Sequence, residues 1–252
     1  MSAAARRPLQ GTFQVLRLNW SQYAAGLLAL GAAGTLATTL AAHPLVRVGA
    51  WVVAGVTGWL LVASVVASWW VYDRAGLYDW HWLVGALPSA PGRWAVLHAG
   101  FDEAGPGLRA LLAEPPAAVL DIGAELPRWT ASLRRARGRV RGPRDQGAWV
   151  DALPLAGAGV DTAFVIFAAH ELRRRVDRDA LFAELARVLA PGGTVVLVEH
   201  ARDLANALVF GPGALHFLPR REWLRVSAGA GLAPLAELHL TPFVRGWLLC
   251  RR

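Results

Sequence analysis

The ionisable residues of this chain gather at the ends of short apolar runs. His98-Ala99-Gly100 closes the run 94–97, Asp121 closes 117–120, and Asp151 follows 148–150. His170-Glu171 follows 162–167, and Glu199-His200 closes 194–198. Imidazoles and carboxylates so placed can move a proton, hold a hydroxyl-bearing or cationic ligand, or bind a divalent ion. His170 and His200 are the best-placed candidates for a general base. Set against that is the plain role of hydrogen-bonded histidines. His98, His170, Glu171, Glu199 and His200 have metal-donor chemistry, but no two follow a recognised zinc spacing, so no metal is expected. Arg128, Arg134, Arg135, Arg137, Arg139, Arg141 and Arg144 form a basic run that reads as a solvated face or one apposed to anionic lipid. Near such a lipid surface each arginine contributes about 1 kcal/mol. Sparse aromatic interleaving argues against a nucleic-acid partner.

These groups need elements to place them. The runs 94–97, 117–120, 162–167 and 194–198 read as strands, with a weak one at 148–150. Helical patterns occupy 107–112, 125–137 and 179–189. In the last, Leu181, Phe182, Leu185, Val188 and Leu189 share a face, and Pro191-Gly192-Gly193 is expected to stop it. Strands alternating with helices imply a parallel sheet covered on both faces. Runs 235–240 and 244–249 around Thr241-Pro242-Phe243 imply a closing antiparallel hairpin. Ligands of such sheets bind beyond the carboxyl ends of the strands, where strand order reverses. The polar groups named above fall on that rim.

The first third of the chain is different. The 252 residues are 55% hydrophobic and 17% charged, with mean hydropathy +0.35. That excludes a disordered chain and is unusual for a soluble domain. Within 21–71 the only formal charge is Arg47, and two apolar runs, 23–42 and 48–71, flank a break at His43-Pro44. At about 1.5 Å per residue each is long enough for a hydrocarbon core of about 30 Å. A transmembrane hairpin is therefore expected over 23–71. Gly26, Gly31, Gly34, Gly49, Gly55 and Gly58 would allow close helix approach. Trp20, Tyr23, Trp69, Trp70 and Tyr72 bracket the runs as interfacial belts do, and Arg6, Arg7, Arg17 and Arg74 put both ends in the cytoplasm. A cleaved signal peptide fits poorly with a second apolar run. Two buried helices of a soluble protein are the other reading. Residues 1–22 are expected as a cytoplasmic segment, 72–91 as an interfacial segment and linker, and 92–252 as the α/β domain. The net charge is +8, all of its basic residues arginine, and the single cysteine, Cys250, rules out an internal disulfide and fits a reducing compartment.

The stretch LFAELARVLAPGGTVVLVEH (181–200), with Asp151-Ala152-Leu153-Pro154-Leu155 and Val160-Asp161-Thr162-Ala163-Phe164, resembles class I S-adenosylmethionine-dependent methyltransferases. The similarity is to the ubiquinone/menaquinone methyltransferase-like, type 11 group, and covers about 93–252. It implies a Rossmann-like seven-stranded sheet with a C-terminal antiparallel hairpin, and S-adenosylmethionine as cofactor. The family's motif after its first strand, an acid and three alternating glycines, aligns with His98-Ala99-Gly100-Phe101-Asp102-Glu103-Ala104, where only Gly100 is kept. Val119-Leu120-Asp121-Ile122-Gly123 offers a second register. The 63 residues from His98 to Asp161 hold the intervening elements better than the 40 from Asp121. In the first register Asp121 ends strand two and takes the ribose hydroxyls, with Asp151 near the adenine. The implied cofactor contacts are Gly100, Phe101, Asp102, Asp121, Ile122, Asp151 and Phe167. Asp102 and Glu103 add negative charge, which suits a ligand carrying a sulfonium and an ammonium. His216 and Arg220-Arg221 fall in the region that shapes acceptor sites.

Two functions follow. One is a membrane-anchored methyltransferase at the inner membrane, its C-terminal domain in the cytoplasm, acting on a small or lipid-like acceptor. The other is a non-catalytic membrane-bound scaffold on a degenerate methyltransferase fold.

Overall fold

Apolar runs dominate the sheet, as their composition requires. The computed structural model describes residues 8–40, 43–124, 126, 129–137 and 145–252. Arg6, Arg7, Glu125, Arg128, Arg139, Arg141 and Arg144, invoked above, lie outside them. Before the sheet come four helices: α1 (Gln10–Leu18), α2 (Trp20–Thr35), α3 (Pro44–Trp69) and the short α4 (His81–Val84). Seven strands follow: β1 (Trp94–His98), β2 (Ala118–Asp121), β3 (Asp145–Gly147), β4 (Val160–Ile166), β5 (Leu189–Glu199), β6 (Leu232–Thr241) and β7 (Val244–Arg251). Between them run α5 (Gly105–Leu111), α6 (Ala131–Arg137), α7 (Arg175–Val188), α8 (Leu204–Phe210) and α9 (Arg220–Gly229). The sheet order is β3-β2-β1-β4-β5-β7-β6, and β7 runs antiparallel to both of its neighbours. Strand order reverses between β1 and β4, so that crevice is where a ligand is expected.

Some boundaries move. β3 is Asp145–Gly147 rather than 148–150, and a bridge between Trp149 and Ala152 takes the expected place. α6 starts at Ala131. α7 ends at Val188, before Pro191-Gly192-Gly193, and β5 already runs through those residues. The stop is therefore Leu189, whose extended backbone breaks the helix. The glycines serve the strand instead: a Cβ on Gly193 would lie 3.0 Å from the Asp161 carbonyl.

Alternate residues of β1 feed two cores. Ala95 and Leu97 pack with Leu120, Val165, Phe182 and Trp223 on one face. Trp94 and Val96 pack with Leu77, Trp80, Leu83, Leu108 and Val71 on the other. This second face is closed by α4 and by the end of α3. The first part of the 72–91 stretch joins the core, with Leu77, Trp80 and Leu83 fully buried against the sheet face, while Pro88-Ser89-Ala90 is exposed.

Among the described residues one helix, Pro44–Arg74, is long and apolar enough to cross a membrane. Of the expected pair, only this helix meets the length and composition of a membrane span. α2 has 16 residues before a π-helical turn, Leu36–Leu40. It packs antiparallel to α3, Gly26 against Leu61 and Gly58 against Leu30, while Gly31, Gly34, Gly49 and Gly55 face open space. Only two of the six glycines therefore serve helix approach.

Candidate active site at the carboxyl edge of the sheet

A cavity of about 820 Å³ lies against the ends of β1, β4 and β5. Its floor is the strand-end loops, with Ala99, Phe101, Glu103, Ile166, Phe167, His170 and His200. Its opposite wall is the N-terminal helices, with Val15, Leu18, Tyr23, Leu60, Leu61 and Tyr72. The wall is held by polar contacts at the end of α3. A π-helical turn, Trp70–Arg74, carries Tyr72 and Asp73. Asp73 accepts from the backbone N–H of Gly11 and Thr12, each 2.8 Å, and from the Thr12 hydroxyl at 2.6 Å. A carboxylate there satisfies the open N–H groups at the start of α1 and its positive dipole end. At the other end of α1, Arg135 bonds the Leu18 carbonyl and the Ser21 hydroxyl and lies 5.5 Å from the Trp20 ring centre.

At the β2 end, Asp121 is already paired. Its Oδ1 accepts from the Gly123 N–H (3.0 Å) and Arg137 Nη1 (3.1 Å), and its Oδ2 lies 2.9 Å from Arg137 Nη2. Both side chains are buried, 4% and 8% exposed. Trp129 stacks on the guanidinium at 4.5 Å. Gly100 has φ +91, and a Cβ there would meet Arg137 Cγ at 2.5 Å, so glycine is required on both grounds. Arg135 and Arg137 therefore point into the molecule, not toward solvent or lipid as the basic-run reading supposed; only Arg134 of the described members is exposed.

The remaining expected contacts divide. His98 ends β1 and Asp121 ends β2, as the first register has them. Phe101 and Phe167 line the cavity. Asp102 does not: its Oδ1 accepts from Gly105 N–H (2.6 Å), so it holds the start of α5. Ile122 is buried in the core, and Asp151 is exposed beyond β3. Glu103, on the cavity floor, accepts from the Tyr78 hydroxyl at 2.9 Å.

At the β4–β5 end, four ionisable residues meet. Glu199, fully buried, lies 2.6 Å (Oε2) from His170 Nδ1 and takes the His170 backbone N–H at 3.2 Å. Glu171 Oε1 is 3.6 Å from His170 Nε2 and 3.5 Å from His216 Nε2. Burial opposes the His170 imidazolium, but the charge of Glu199 and the bonds from Glu171 and Glu199 outweigh it and raise the pKa to about 10. Burial works against Glu171 as well, yet the bonds from His170 and His216 hold its carboxyl well below the usual range.

His200 is the opposite case. It lies between Phe167 and Phe217, ring centres 5.1 and 4.9 Å away. Its Nδ1 is 2.8 Å from the Phe243 carbonyl, which can only accept, so Nδ1 donates. Nε2 then accepts from the Tyr72 hydroxyl at 2.8 Å. Burial pushes its pKa down to about 4. As arranged, His170 is held between the carboxylates of Glu199 and Glu171, and His200 has its basic nitrogen covered. Neither is a free base. Phe167, a bulky residue, has φ +49. Such strain collects at functional sites.

Tyr72, Arg137 and the pairing of His216 with Glu171 were not legible as site features. Tyr72-Asp73-Arg74 does carry one signal, a polar break at the end of an apolar run.

Sequence and structure comparisons bear on the fold. A family model described as a methyltransferase domain matches residues 122–197, less than a third of the chain. No curated protein matches the sequence. Among solved structures, a SAM-dependent methyltransferase from Aquifex aeolicus aligns over 72% of this chain and 94% of its own, at 15% identity and TM-score 0.53. A methyltransferase from Thermotoga maritima, described as a possible histamine N-methyltransferase, aligns over 74% and 94%, at 16% identity and TM-score 0.49. The geranyl diphosphate C-methyltransferase of Streptomyces coelicolor aligns over 68% and 74%, at 16% identity and TM-score 0.49. The chain carries the class I methyltransferase fold.

Proposed function

We propose that this protein is a membrane-anchored S-adenosylmethionine-dependent methyltransferase whose acceptor is small or lipid-like. The observation that carries the reading is the cavity, built jointly by the methyltransferase strand ends and the apolar helices. The residues fit the cofactor with one rearrangement. Glu103 presents a carboxylate to a ligand bearing an ammonium and a sulfonium, and the left-handed turn at Gly100 lets backbone come close. Asp121, at the end of β2, is assigned the ribose hydroxyls, which requires Arg137 to swing aside. When bound, the cofactor supplies the electrophilic methyl group. The chain's own part is to position the acceptor and exclude water, which the docked α1 and α3 do.

The membrane part of the proposal rests on exposure. Leu27, Leu28, Val48, Trp51, Val52, Val53 and Val56 are all exposed. Below them the hairpin is docked: Trp59 Nε1 donates to the Leu208 carbonyl (2.9 Å), and Gly211 packs on Leu60. In α3 the free length is 44–56, about 20 Å at about 1.5 Å per residue. That supports a hairpin tip inserted from the cytoplasmic face of the inner membrane. Exposed Leu204, Leu208 and Leu215 would rest at the lipid interface. An acceptor dissolved in the bilayer then reaches the cavity without crossing water.

One observation favours the second reading, a scaffold without catalysis: Asp121 is neutralised by Arg137. Calorimetric titration of the full chain, in nanodiscs, with S-adenosylmethionine separates the two. Saturable binding that Asp121→Ala removes is expected. No heat at millimolar cofactor, with the chain folded by circular dichroism, leaves the scaffold.

A further inference from the structure

We propose that His170, Glu171 and His216 form a binding site for a divalent transition-metal ion, with its open coordination position facing the cavity. Among the described residues these three offer ligand atoms that all lie within 4.8 Å of one another. A tetrahedral site with bonds of about 2.1 Å has ligand–ligand edges of about 3.4 Å. Two edges here, 3.6 Å from Glu171 Oε1 to His170 Nε2 and 3.5 Å to His216 Nε2, already have that length. Closing the third requires only that the two imidazoles, whose ring centres are 5.2 Å apart, lean together.

The surroundings are those of a metal ligand set. A ligating histidine donates its other nitrogen to a carboxylate, which fixes ring and tautomer. Glu199 does this for His170 Nδ1 at 2.6 Å, leaving Nε2 toward Glu171. The two ligand-bearing turns, Ala169–Glu171 and Gly211–His216, are tied together by Arg173, whose Nη1 bonds the carbonyls of both His170 and His216. Two carboxylates, one fully buried and one nearly so, also match the charge of a divalent cation. Two imidazoles with one carboxylate favour zinc, iron or a similar metal over magnesium. All three ligands line the cavity. Three protein ligands leave one position, and an oxygen or sulfur of the acceptor is the chemistry that would fill it. The site stands independently of whether the cofactor binds.

The test uses the full chain in detergent, stripped with chelator and then titrated with Zn²⁺ against a chromophoric competitor. One ion per chain is expected, with affinity lowered at least tenfold by His216→Ala and by Glu171→Gln. Glu199→Gln should weaken binding about 10- to 100-fold while leaving one ion per chain. Should a variant misfold, X-ray absorption of the zinc-loaded wild type decides: two imidazoles and one carboxylate are expected. Absent stoichiometric binding, unchanged affinity in folded His216→Ala, or a different ligand set overturns the proposal.

Discussion

The two ends of the sheet's carboxyl rim use similar residues to opposite effect. At the β2 end one carboxylate, Asp121, meets one guanidinium, Arg137, under the Trp129 ring, and the charges cancel. At the β4–β5 end two carboxylates face two imidazoles, and three of the four side chains line the cavity. Strand topology puts ionisable groups at both ends alike. What differs is the neighbouring element. α6 delivers an arginine to the first end, whereas the turn before Phe217 delivers a histidine to the second. A rim position therefore predicts where a polar group stands, not whether it is available.

Exchanging Arg137 for alanine should break this contrast most visibly, through two effects of opposite sign. Stability should fall by about 3 kcal/mol, because Asp121 is left buried without its partner. Affinity for S-adenosylmethionine should rise at least tenfold, because the ribose carboxylate is no longer taken. Urea unfolding and calorimetric titration of the same preparation read the two. If affinity drops together with stability, Arg137 belongs to the binding surface and the closed end is misread.

Exchanging Asp73 for asparagine addresses the wall that faces both ends. The carboxylate accepts three bonds from the start of α1, and Gln14, Val15 and Leu18 of that helix line the cavity. Loss of this cap should cost about 1–2 kcal/mol. Protease cleavage within residues 10–19 should accelerate, while Arg137 keeps the β2 end closed. Cleavage at the wild-type rate would mean that Arg135 alone holds α1 in place.

The alternation of apolar runs made the sheet legible, along with its reversal point and its closing hairpin. β3 was misplaced because Asp145-Gln146-Gly147 contains no apolar residue; its pairing with β2 is a tertiary matter. The rim histidines were legible because they follow strands. His216 was not tied to Glu171, since it lies 45 positions further on, beyond α7, β5 and α8. Arg137 was hidden in a run of arginines, where nothing local distinguishes the one that turns inward. Apolar length marked α3 but could not reveal that its last turns are core: a helix facing lipid and one facing a sheet read alike.

The smallest effect concerns a carboxylate behind the open end. Glu222 accepts from Arg225 Nε (2.9 Å) and Nη2 (2.8 Å), and from Arg178 Nη2 (2.7 Å). Arg178 in turn holds the carbonyls of Leu172 (2.6 Å) and Arg173 (3.1 Å), just beyond His170-Glu171. The bonds from Arg225 first, then those from Arg178, lower the Glu222 pKa to about 2 from its ordinary 4.5. A depressed carboxyl pKa stabilises the fold above the unfolded value, and that stability is lost as pH falls through the folded one. Unfolding free energy should therefore decline between pH 4.5 and 2. Solvent screening limits the loss to about 1 kcal/mol. Glu222→Gln should be less stable at pH 7 and show a flatter decline over that interval. An unchanged slope would place the acid sensitivity elsewhere and leave Arg178 to brace the turn through its carbonyl bonds alone.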